Sequence, residues 1–75
     1  MPMFNNKLVM RTYAPNTSQN AWVILEGDNA WKVILGNGFG INNIVSILTS
    51  AQANGRRVTA FVNDDNQVVW VQMIT

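Results

Sequence analysis

The sequence predicts a mainly β fold, a five-stranded barrel of the OB type with one helix between its third and fourth strands. Two observations lead there. Five short apolar or alternating segments are bounded by turn formers, and one segment carries helical periodicity. Their order, β-β-β-α-β-β, is the order of an OB barrel.

The first strand is expected over residues 7–13, where Leu8 and Met10 alternate with Lys7, Val9 and Arg11. Residues 14–20 are packed with turn formers and read as a loop. Residues 21–26 and 30–35 read as a strand pair, reversed at Gly27-Asp28-Asn29, because Gly and Asn accept positive φ at little cost. The glycines at 36, 38 and 40 make a flexible junction. Ile44, Ile47, Leu48 and Ala51 then recur at helical spacing, with Asn43, Ser46, Ser50 and Gln52 facing outward. Asn42 or Asn43 is the expected N-cap, and Gly55 suits the left-handed position that closes a helix.

The fourth strand is expected over residues 57–63, with Val58, Ala60 and Val62 on one face and Arg57, Thr59 and Phe61 on the other. Asp64-Asp65-Asn66 turns the chain. The fifth strand covers residues 67–74, with Val69, Val71 and Met73 opposite Val68, Trp70, Gln72 and Ile74. An open sheet with the helix on one face is the competing arrangement. Closure is favoured because a barrel removes edges from strands this apolar.

Residues 1–75 make one domain. A chain of this size buries only about 60% of the surface its unfolded form exposes. There is no Cys to brace it. Hydrophobic residues make up 48% and charged ones 12%, against roughly 25% charged in an average domain. Several strands are apolar on both faces, more than one helix can cover. Oligomerisation is therefore expected, with Trp22, Ile24, Phe61 and Trp70 as interface residues.

Catalysis is not expected. With neither His nor Cys there is no ready general base or thiol nucleophile, and no metal or cofactor site is anticipated. Asp64-Asp65 reads as turn chemistry, and the glycine junction lacks the ending of a phosphate loop. The net charge of +1 argues against nucleic acid, since the one basic pair, Arg56-Arg57, reads as the solvated start of a strand. Apolar runs stop at five residues, so no membrane span is expected, and the opening residues lack the apolar core of a signal peptide. The expected ligand side is Tyr13 with the polar loop residues Asn16, Ser18 and Asn20. An amphipathic ring beside side-chain amides and hydroxyls suits a neutral polyhydroxy ligand such as a glycan.

The second half carries a resemblance. An apolar helix with small residues near its end, Ser50-Ala51-Gln52-Ala53, is followed by Asn54-Gly55, the basic Arg56-Arg57, Val58-Thr59, a strand, a turn and the last strand Val68-Val69-Trp70-Val71. This resembles the closing helix and hairpin of the toxin B-subunit-like OB domains of bacteria, the binding subunits of subtilase cytotoxin and pertussis-like toxins. The resemblance implies a secreted, carbohydrate-binding B subunit, a homo-oligomeric ring, commonly a pentamer, and a catalytic partner subunit. Those subunits usually carry a disulfide, which this chain does not. None of their sugar-contacting residues transfers to a position here. A single-stranded nucleic-acid binder and a purely structural assembly module are the alternatives.

Overall fold

The computed structural model describes residues 3–38 and 40–74; Met1, Pro2, Thr75 and Phe39 of the glycine junction lie outside them. The elements are β1 (Met3–Tyr13), β2 (Ala21–Leu25), β3 (Asp28–Ile34), α1 (Ile41–Asn54), β4 (Arg57–Val62) and β5 (Val68–Ile74). They form one five-stranded sheet in the order β3-β2-β1-β4-β5, with every neighbouring pair antiparallel. The two edge strands meet at a single parallel bridge, Val33 to Gln67, where the Val33 amide donates to the Asn66 carbonyl at 2.8 Å. The sheet is not closed by a continuous ladder.

β1 begins four residues earlier than its alternation suggests, because it serves two partners. Its first half pairs with β4 and its second half with β2. The register slips twice along it, once around Asn6, which takes φ 57°, and once around Met10. Each slip bends the strand and changes which residues face inward. Val9 is therefore buried and Met10 exposed. Another slip lies between β4 and β5. Val62 pairs with Val68 and Phe61 with Trp70, so Val68 turns into the core and Val69 out of it, against simple alternation.

α1 packs mainly on β1 and β5. Leu48 and Ala51 are fully buried against Val23, Leu25, Val58, Ala60 and Val62. Ile41, Ile44 and Val45 complete the packed face, whereas Ile47 is only half-buried and outside that cluster. The N-cap is Gly40 rather than Asn42 or Asn43, which sit inside the first turn; no side chain caps the helix there. The other end is as expected. Gly55 takes φ 65°, its amide donating to the Gln52 carbonyl and that of Arg56 to the Ala51 carbonyl, the paired bonds of a Schellman motif.

The β4–β5 turn is organised by Asn63. Its Oδ1 accepts the amides of Asp65 and Gln67 at 2.9 and 3.0 Å, and Asn66 takes φ 60°.

Candidate functional site

Three rings gather on the outer face of β1, β2 and β3. Directly opposed residues on antiparallel strands point to the same side, and Tyr13 pairs with Trp22. Trp31 joins them from β3. The Tyr13 ring centroid lies 5.8 Å from Trp22 and 6.0 Å from Trp31, with the planes tilted by 50° and 55°. Tyr13 is 55% exposed and Trp31 41%. Between them opens a slot lined by Tyr13, Trp22 and Trp31 alone. Arg11 pairs with Ile24 and so shares this face, where its guanidinium makes no ion pair among the described residues.

Trp31 faces out because Lys32 faces in. Lysine ordinarily marks the solvent side of a strand, which would place its neighbour inside. Here Lys32 is fully buried. Its Nζ donates to Asp28 Oδ2 at 2.8 Å and to the Ala30 carbonyl at 3.0 Å, and stands 4.6 Å from the centre of the Phe4 ring. The charge is thus paired, hydrogen-bonded and set over a π face, the conditions under which a buried ammonium is tolerated. Asp28 also accepts the Ala30 amide at 3.0 Å, so one carboxylate holds the backbone before Trp31 and the side chain after it. The Lys32 hydrogen bond, followed by the Ala30 amide, lowers the Asp28 pKa from its ordinary value. Glu26 is lowered likewise, first by the Leu8 amide and then by Arg57 Nη1 at 2.7 Å.

The predicted loop residues do not join the rings. The Asn20 side chain accepts the Gly36 amide at 2.8 Å, and Ser18 Oγ accepts the Asn20 amide at 3.1 Å. A Cβ at Gly36 would run into the Gln19 carbonyl, so the loop is seated tightly on the end of β3. Ser18 and Asn20 border a separate shallow groove against Ile41 and Val45, while Asn16 is exposed in the turn. Only Tyr13 of that group stands at the slot.

The predicted interface residues are also divided. Trp22 belongs to the three-ring cluster. Ile24 is 7% exposed, covered by the chain itself. Phe61 and Trp70 sit together on the outer face of β4 and β5, stacked with centroids 6.1 Å apart and planes 12° from parallel. Exposed Met3, Val69 and Ile74 lie on the same half of the sheet.

Trp31 and Arg11 are the site residues that sequence reasoning missed. The hairpin could have pointed to Trp31, since it sits nine positions after Trp22 across a tight reversal. Which side it faces depended on the burial of Lys32.

Among the described residues no group of three or more His, Cys, Asp or Glu side chains could hold a metal ion, and no helix is long and apolar enough to cross a membrane. No family model matches the chain, and neither a curated protein nor a solved structure matches it.

Proposed function

We propose that the chain is a non-catalytic binding domain of the OB type that recognises carbohydrate in the Tyr13–Trp22–Trp31 slot. The carrying observation is that slot, lined by two exposed rings, Tyr13 and Trp31, and the half-buried Trp22. Sugar rings present C–H faces that pack on aromatic faces, and their hydroxyls remain solvated at the rim. The strand order and the edge-to-edge bridge between Val33 and Gln67 support the OB-type barrel. The Phe61–Trp70 face, with Met3, Val69 and Ile74, is the surface through which copies would associate as a homo-oligomer.

A base-stacking reading, single-stranded nucleic acid, shares the rings and has Arg11 in its favour. Such binders also need a positive track along the backbone. Lys32 is buried, Arg57 is paired with Glu26, Lys7 lies opposite Val58 on β4 and Arg56 follows the end of α1, so Arg11 is the cation that shares the slot's face. Carbohydrate is therefore preferred.

The test is a glycan array followed by titration of the indole N–H resonances. Binding should move the Trp22 and Trp31 signals and vanish in Trp31→Ala. A blank array with no indole shift overturns the proposal. Oligonucleotide binding that weakens steeply with salt transfers the site to the second reading.

A further inference from the structure

A second hollow shares a wall with the slot. It is a crevice of about 110 Å³ at the end of β1, lined by Thr12, Ala14, Ala21, Val45 and Thr49 together with the slot residues Tyr13 and Trp22, and floored by Ile34 and Leu48. Its lining is mainly carbon, and a volume of this size holds several heavy atoms, since one water needs only about 10–15 Å³ on the same scale.

The two threonine hydroxyls in its lining are committed by their own hydrogen bonds. Thr12 Oγ1 donates to Gln52 Oε1 at 2.9 Å, and Thr49 Oγ1 donates to the Val45 carbonyl at 2.9 Å. A hydroxyl has one proton, so each has only lone pairs left to offer. On its threonine side the crevice therefore suits a group that brings its own N–H or O–H donor and ends in a small apolar tip.

We infer that the crevice takes the acetamido group of an N-acetylated sugar whose ring stacks in the Tyr13–Trp22–Trp31 slot. The methyl fills the apolar floor, the amide N–H meets a threonine oxygen, and the carbonyl points to water at the mouth. A bare hydroxyl could use the oxygen but would leave the apolar space empty. A free amine would bring a positive charge into a carbon-lined hollow with no carboxylate on it. This inference rests on the carbohydrate reading of the slot and names the sugar class that the slot would select.

The experiment compares matched methyl glycosides, N-acetylglucosamine against glucose and N-acetylgalactosamine against galactose, by titration of the indole resonances. The acetamido member of at least one pair should bind about tenfold more tightly, from one buried methyl and one hydrogen bond. That preference should shrink in Thr49→Val, which removes the oxygen, and in Ala14→Leu, which fills the mouth; both positions are exposed, so both variants should fold. Equal binding within both pairs overturns the crevice assignment and leaves the slot standing. A preference that survives Ala14→Leu also overturns it. Failure of all four glycosides to bind removes both readings.

Discussion

The two halves of the sheet each carry aromatic side chains on their outer face, and they use them in opposite ways. On β4 and β5 the Phe61 and Trp70 rings lie nearly parallel, so each covers a face of the other. On β1, β2 and β3 the rings of Tyr13, Trp22 and Trp31 stand at about half a right angle, and open space lies between them. Both arrangements are favourable for the rings themselves, and what separates the two clusters is the slot that lies among the tilted three. The difference teaches that a count of exposed aromatics does not locate a site. The space left between the rings is what distinguishes the two clusters.

The largest effect breaks both halves together. Leu48 is 1% exposed in the core that α1 shares with the sheet. Leu48→Asp would bury an unpaired carboxylate at a cost of roughly 5 kcal/mol or more, comparable with the whole stability of a small domain. Circular dichroism should show an unfolded chain. A native-like spectrum would mean that the two faces do not depend on a common core.

The next separates the halves. Asp28→Ala leaves the Lys32 ammonium buried without its anion. Breaking such a pair is destabilising, by less than for a wholly buried pair because Asp28 is itself partly exposed. Denaturant midpoints should fall accordingly, the Trp31 resonance should move, and Trp70 should not. Adding Lys32→Met should restore most of the loss, since methionine needs no counter-ion. Equal disturbance of Trp31 and Trp70 would show the halves to be coupled.

The smallest effect is a pH dependence. Folding holds Asp28 and Glu26 below their ordinary values of 3.8 and 4.5 through hydrogen bonds made only in the folded chain. A carboxylate with a depressed folded pKa contributes stability above its unfolded pKa and loses it as the pH falls through the folded one. Thermal midpoints should be flat at neutral pH and decline as the pH drops below about 4.5, with a shallower decline in Asp28→Asn. A midpoint that rises on acidification would contradict the pairing at Asp28.

Much of the fold is legible in local patterning. The helix was readable because Ile44, Leu48 and Ala51 repeat at its period and Asn54-Gly55 ends it. β4 was readable because Val58, Ala60 and Val62 alternate without interruption. Patterning failed at three of the four register slips, at Asn6, at Met10 and at Val69, because one extra residue reverses the facing of everything beyond it; the slip between β2 and β3 inserts two residues and keeps the facing. The loop residues read beside Tyr13 do not stand with the rings, for a related reason. Tyr13 was read correctly as exposed beside a polar loop, but Asn20 is spent on Gly36 and the true neighbours of Tyr13 lie across the sheet.

The sequence by itself determined the number and order of the elements, the C-terminal end of the helix, and an excess of apolar surface. These rest on contacts within a turn or two of chain, where the period of the residues is the period of the structure. Only the tertiary structure decided which way β3 faces. Burying Lys32 needs a carboxylate, a carbonyl and an aromatic ring at once, and the ring belongs to Phe4 on a different strand. Once that charge is inside, the alternation of a strand turns Trp31 outward, and the open slot follows.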